Sequence, residues 1–300
     1  MGHRDGAAAP TAWARLALLL TVSLQPLVVG CTSVLPEQAG SLSSYDRLEP
    51  SDGLLTKAHV SVNKDDILSA RTVRITPTTF SAAAASEAGL SEPQVRLIAN
   101  AVDRSLCTGL SRRFQIAAAA QPADLTVRAF VTRIIPTDEI AAAASSVTSV
   151  GMTVVKAAGV VTAPIPSLRF PIGLGGLALE AEALDRTGSQ KAAIIWARGA
   201  NSFSRPRASR AGDAYEFASA FGDDFSKLLV TGASPFKTLP SLPTMDGIHS
   251  ALGGAPKESA CEAFGRGPGV PGLMGGALGL PPELTDKGAP ASGEDGELNR

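Results

Sequence analysis

Glu180 and Glu182 are the one close pair of carboxylates on a stretch with strand character, and two neighbouring acids are what general acid–base chemistry employs. Two residues apart on a pleated strand, they project from one face at about 7 Å from each other. A working pair needs an environment that splits the two acidities, and no histidine stands near them in sequence, so the reading is a solvated sheet face. The histidines are His3, His59 and His249. His59 falls in a stretch read as loop and His249 in the tail, so a nucleophile–histidine–acid set would need tertiary proximity that spacing does not supply. Asp223 and Asp224 sit in mid-helix with no metal-ligand companions and read as surface charge. Neither H-E-x-x-H nor paired C-x-x-C occurs. The glycine-rich stretch 173–176 raises a phosphate cradle, but no Gly-Lys-Ser or Gly-Lys-Thr follows and residues 177–184 read as strand; it is a hinge entering that strand. No catalytic residue, metal ligand or cofactor is assigned, and the expectation is a protein that is not an enzyme.

Cys31 carries a different chemistry. It follows a leader with Arg4 and Arg15, an apolar core over 16–24, and Leu27-Val28-Val29-Gly30, the three-part layout of an export signal that ends in a lipobox-like cysteine. In such precursors the thiol is acylated and the chain is cut just before it. Two or more acyl chains make a stable tether, whereas the apolar core is too short to span a bilayer comfortably. Thr32, not Asp, follows the cysteine, which favours the inner leaflet of the outer membrane with the body facing the periplasm. The other two cysteines, Cys107 and Cys261, would be bridged in an oxidising compartment or are two unrelated thiols; sequence leaves both open.

These residues sit in a chain of 300 with net charge −1 and 5% aromatics. That balance provides no electrostatic footprint for nucleic acid and no polybasic membrane patch. Val73 and Ile75 alternate with polar residues in what reads as the first strand, ended by Pro77. Ser91 caps a helix with Pro93 in its first turn and an apolar stripe through Val95, Ile98, Val102, Leu106 and Leu110, leaving Asp103 and Arg104 off the stripe. Residues 114–116 and 125–135 read as extended, the latter with Leu125, Val127, Ala129, Val131 and Arg133 on one face. Residues 177–184 and 193–197 flank an Asp-Arg-Thr-Gly-Ser turn as a hairpin. Asp213 opens a second long helix, with Tyr215, Ala218, Phe221 and Phe225 on its inner face and Gly232 as its stop. Arg205, Arg207 and Arg210 lie in a serine-rich loop read as solvated. Residues 140–163 admit three readings: a helix packed on the sheet or on another subunit, a small-residue loop, or a membrane-seeking insertion.

The order of elements predicts an α+β two-layer sandwich, a mostly antiparallel sheet with two main helices on one face. Residues 1–30 are the signal peptide, 31–39 a tether, 40–231 the folded domain. From 232 to 300 one residue in three is glycine or proline without a period, which predicts a disordered, low-complexity tail with room for a short helix over 250–264.

After the cysteine comes Gly40-Ser41-Leu42-Ser43-Ser44-Tyr45-Asp46-Arg47-Leu48-Glu49-Pro50. Read as physics, Leu42, Tyr45 and Leu48 are docking side chains on a loop that closes at Asp52-Gly53. The pattern G-x-L-S-x-Y-x-x-L-x-P, carried by Gly40, Leu42, Ser43, Tyr45, Leu48 and Pro50, resembles the bacterial lipoprotein family known as domain of unknown function 3313, over about 40–230. The resemblance implies location and layout, and no chemistry. The expected partners are a membrane, through the anchor, and envelope proteins or a second copy of the chain; the expected role is binding or assembly. An envelope hydrolase built from dispersed residues such as His59 and the acidic pairs, and a pore-forming accessory protein, are the rival expectations.

Overall fold

A computed structural model of the chain describes residues 34–140, 173–237 and 245–290. In chain order these form β1 (Glu49–Pro50), β2 (Thr56–Val62), α1 (Lys64–Ser69), β3 (Thr72–Ile75), β4 (Thr79–Phe80), α2 (Ala82–Glu87), α3 (Glu92–Leu110), β5 (Gln115–Ile116), β6 (Leu125–Ile135), β7 (Gly176–Asp185), β8 (Gln190–Gly199), α4 (Gly212–Thr231), α5 (Met245–Ala251) and α6 (Gly269–Leu278), with short 3-10 turns at Ser259–Phe264 and Pro282–Leu284. The signal peptide, Cys31 and nearly all of 140–163 lie outside the described residues.

The strands make one eight-stranded sheet in the order β1-β2-β8-β7-β6-β3-β5, with β4 beside β6. The central pairs are antiparallel, while β3 runs parallel to β5 and β6. The β7–β8 hairpin forms because its turn is pre-wired: Asp185 Oδ1 accepts from the amides of Thr187 and Ser189, and Gly188 takes φ +82°. Helix α3 starts at a capping box between Ser91 and Gln94, and α4 stops where Gly232 turns left-handed.

Both long helices lie on one face, as expected. They approach closely because small residues face each other: a Cβ on Gly109 would stand 2.4 Å from Ser226, and one on Gly222 would stand 2.5 Å from Ser105. Between helices and sheet, Leu106 of α3 and Phe221 and Phe225 of α4 are fully buried with Trp196, Leu177 and Leu179 of the strands, and Trp196 stands edge-on to Phe221 at 5.7 Å.

Four expectations are corrected here. The sheet begins before 72, because Thr56–Val62 pairs along its whole length with β8, and His59 therefore sits in a strand. That segment alternates Ala58, Val60 and Val62 with Lys57, His59 and Ser61, the period-two pattern of a half-buried strand. In β6 a bulge between Val131 and Arg133 reverses the alternation, so Ile134 is buried and Arg133 faces solvent. The tether is docked from Val34 onward, since Val34 is buried against Ala178, Ala197 and Ile135.

The fourth correction concerns the tail, which packs on the body over 245–290. A disulfide joins Cys107 in α3 to Cys261, with Cα atoms 5.8 Å apart. Asp286, whose side chain is fully buried, pairs with Arg104 and accepts a hydrogen bond from Tyr215 at 2.5 Å. Glycine and proline there serve close backbone contact, as where Ala208 donates to the carbonyl of Gly279 at 2.8 Å.

Candidate functional site

The face of the sheet away from the long helices is where Glu180 and Glu182 project, and neither is solvated: both are fully buried. The segment 34–50 lies over them as a strap. Alternate amides of its first part, at 39, 41 and 43, point to the sheet. Ala39 N donates to Glu180 Oε1 at 2.8 Å, Ser41 N to Glu180 Oε2 at 3.0 Å and Ser43 N to Glu182 Oε2 at 2.8 Å. Gly40, at φ +80°, lets the chain bend so that its two neighbours both address Glu180.

The motif residues complete the clamp. Tyr45 Oη donates to Glu180 Oε2 at 2.8 Å and accepts from Leu42 N at 3.2 Å. Ser43 Oγ donates to Glu182 Oε1 at 3.2 Å. Leu42 packs on Ala193 and Ile195 of β8, flanked by Tyr45 and Leu48, and Pro50 pairs with His59 at the start of the sheet. From below, Arg128, opposite Glu182 in the β6–β7 register, donates Nε to Glu182 Oε1 at 3.1 Å and adds an Nη2 contact, while Gln190 Nε2 reaches Oε2 at 2.9 Å.

A buried carboxylate is tolerated only when its lone pairs are used, and charge-assisted bonds are the strongest available. Burial acts to raise the Glu182 pKa, but Arg128, Ser43 and Gln190 together outweigh it and hold the carboxyl below the usual range. Burial, aided by the Glu180 charge and opposed by the Leu42 amide, pushes the Tyr45 hydroxyl up. Carboxylates so occupied can hold a strap in place. They have little capacity left for a substrate proton or a metal ion.

The remaining candidates are dispersed. His59, Ile195 and Glu180 share one row of the sheet, which puts His59 two strand spacings, about 10 Å, from Glu180 with Ile195 between. Asp224 accepts from Trp196 Nε1 at 2.9 Å, and burial pushes it up to about 6. Asp224 is therefore wired into the helix–sheet contact, a correction to its reading as surface charge, whereas Asp223 is exposed and meets Ser105 of α3. Asp103, read as lying off the apolar stripe, is also buried: Thr78 donates to it from both amide and hydroxyl, and burial pushes it up to about 6.

At the glycine-rich bend, Gly175 N donates to Asp213 Oδ2 at 2.9 Å, and a Cβ on Gly175 would come within 2.8 Å of Asp213, so the amide a phosphate would need is engaged internally. The arginine loop is also packed: Arg207 pairs with Glu216 and donates to Gly276 O, and Arg210 donates to Ala88 O. Among the described residues no group of three or more His, Cys, Asp or Glu could hold a metal ion, and no helix is long and apolar enough to cross a membrane. Cavities among the described residues include one of about 350 Å³ between Ser43, Arg47, Asn63 and Lys191 and one of about 150 Å³ beside His249 and Cys261.

What sequence reasoning missed is mostly one partner of a long-range pair. Arg128 and Gln190 look like ordinary exposed strand residues until the register puts them beside Glu182, and Asp286 has no local signal that it will meet Arg104.

Among solved structures, two crystal forms of a PelC dodecamer from Paraburkholderia phytofirmans, one of a point variant, are similar at 9% identity, with TM-scores of 0.31 and 0.32 over 59% of this chain and 98% of theirs. Likeness of that degree carries no argument about function. No curated protein matches. The profile of one family matches residues 37–225, more than half of the chain and including the strap with both glutamates, and the chain belongs to that family, described as Protein of unknown function (DUF3313).

Proposed function

We propose that this protein is an acylated envelope lipoprotein, facing the periplasm from the inner leaflet of the outer membrane, and that it works as a binding or assembly module without catalysis. One observation carries the reading: the strap, beginning three residues after Cys31, is bound to the sheet by Glu180 and Glu182. Three residues span at most about 11 Å, so a lipid on Cys31 would hold the domain close to the bilayer, in a restricted orientation. A floppy leash would serve a free-swimming catalyst equally well; a clamped one suits a part whose orientation matters. The occupation of both glutamates by strap and strand donors, three on Glu180 alone, supports a role other than acid–base chemistry.

The test is the mass of the mature amino terminus together with fractionation of a Cys31→Ala variant. The reading expects a diacylated or triacylated Cys31 as first residue, and loss of the variant from the outer-membrane fraction. A mature chain that starts elsewhere, or carries no fatty acid, overturns the tether. In-cell crosslinking with mass spectrometry then tests the module: reproducible envelope-protein partners or self-crosslinks are expected, and turnover of an envelope substrate by the purified protein would refute the non-catalytic half.

A further inference from the structure

The two ends of the sheet differ in chemistry. At one end lie the last residues of β6 and β8 and the first of β2 and β7, since Thr56 stands opposite Arg198, Leu177 opposite Arg198, and Ile134 opposite Leu177. Leu54 and Leu55, in the turn into β2, are 99% and 48% exposed, and Phe203, just after β8, is 62% exposed. Ile140, after β6, is 83% exposed, and Leu35 is 59% exposed beside the docked Val34. Among the described residues outside the tail, five of the six exposed large apolar side chains thus crown this one end; the sixth, Leu68, belongs to α1 beyond the other end of β2. The tail contributes Leu278, 72% exposed beside Gly279, whose carbonyl accepts from Ala208 in the loop after β8. Its exposed Met245, Ile248 and Leu252 lie elsewhere, in and after α5, where Ser250 meets Thr108 near the far end of α3.

The opposite end carries ion pairs of Lys191 with Asp66 and Asp185 and of Arg186 with Asp124 and none of the crown's exposed apolar side chains, while the pairs Lys57–Asp52 and Arg133–Glu37 put charge around the crown as well. Exposed apolar side chains gathered at one end mark an interaction surface. What covers it is indicated by where the chain enters. Val34 is buried on this very end, against Ile135, Ala178 and Ala197, and its Cγ2 abuts Gly176, the first residue of β7. Upstream of it are the apolar leader and, three residues away, Cys31.

We propose that this apolar crown rests in a lipid surface, so that the sheet stands on the bilayer with its strands steeply inclined and the Asp185–Ser189 turn held about 30 Å away, the length of a ten-residue strand. The contact deepens the tethered-module reading and rests on it for the identity of the surface. Leucine and phenylalanine side chains at an interface bury into the boundary between headgroups and acyl chains, and that adds orientation to the acyl anchor.

The probe is tryptophan fluorescence of the mature protein in phosphatidylethanolamine–phosphatidylglycerol vesicles containing brominated lipid. Trp196 is fully buried and supplies a constant background, and Trp13 leaves with the leader. Phe203→Trp and Leu54→Trp should shift to shorter wavelength and lose emission to the bromines, while Thr187→Trp at the far turn should do neither. Equal quenching at Thr187→Trp, or none at either crown position while the protein floats with the vesicles, overturns the proposal. So does a crown tryptophan already shielded before lipid is added, which would mean that a second copy or residues 141–172 cover the surface. Amino-terminal mass spectrometry on the same preparation keeps the two readings apart: quenching without acylation defeats the tether and leaves the contact, and acylation without quenching does the reverse.

Discussion

Replacing Glu182 by glutamine should loosen the strap while leaving the shape of the site unchanged. Glu182 Oε1 accepts from Arg128 and Ser43 Oγ, and Oε2 accepts from Ser43 N and Gln190, so a glutamine NH₂ in either position faces donors with a donor. Breaking a buried ion pair by removing one charge costs about 3–5 kcal/mol. Arg128, however, is 38% exposed and can turn its guanidinium to water, which brings the expectation down to about 2–3 kcal/mol. For a domain of this size each kcal/mol moves Tm by about 2–4 °C, so a fall of about 4–12 °C is expected in near-UV circular dichroism. Trypsin supplies the local readout, since Arg47 lies in the strap and should be cut faster in Glu182→Gln. In combination with Arg128→Met the two losses should be clearly less than additive. The folded Glu182 carboxyl lies below its ordinary range, so its contribution is complete above that range and disappears as pH falls through the lowered value. Variant and parent should therefore converge in strong acid. A Tm within about 1 °C of the parent at pH 7, with Arg47 cut at the parental rate, would refute the reasoning that these acids hold the strap.

Asp103 and Asp224 behave oppositely, because burial raises both to about 6: the folded state binds their protons more tightly, so stability should rise as pH falls from 7 toward 5, and Asp103→Asn should flatten that slope in thermal melts. Reducing the Cys107–Cys261 bridge releases a constraint across 154 residues, which the chain-entropy treatment sets at about 5 kcal/mol; trypsin should then cut at Lys257 and Arg266, and unchanged protection would show the tail held without it. Asp286→Ala should leave Arg104 without its buried partner and free the tail end, read as faster amide exchange around 280–288 with the sheet unaffected. Gly109→Ala pushes a methyl to 2.4 Å from Ser226, and overpacking of about 1–3 kcal/mol should outweigh the helix propensity gained, measured by urea denaturation.

Much of the fold was legible along the chain because its signals are local. The capping box at Ser91, the stripe down α3, the pre-wired turn at Asp185 and the left-handed stop at Gly232 each depend on residues within a few positions of one another. The alternation of Leu177, Leu179, Ala181 and Ala183 with the two glutamates was equally readable, and so was the strap motif with its docking leucines and tyrosine. What could not be read was which surface lay over which. Alternation states that Glu180 and Glu182 leave the helix-covered face, and water is the default occupant of the other face; that residues 39–45 cover it depends on contacts across about 140 positions. The same limit hid the bulge that turns Ile134 inward and Asp286 under Tyr215, whereas the strand that holds His59 is written in local alternation. Periodicity and capping are written in neighbouring side chains, whereas burial of a charge is decided by whichever distant donors the packed chain brings to it, and only the tertiary structure names them.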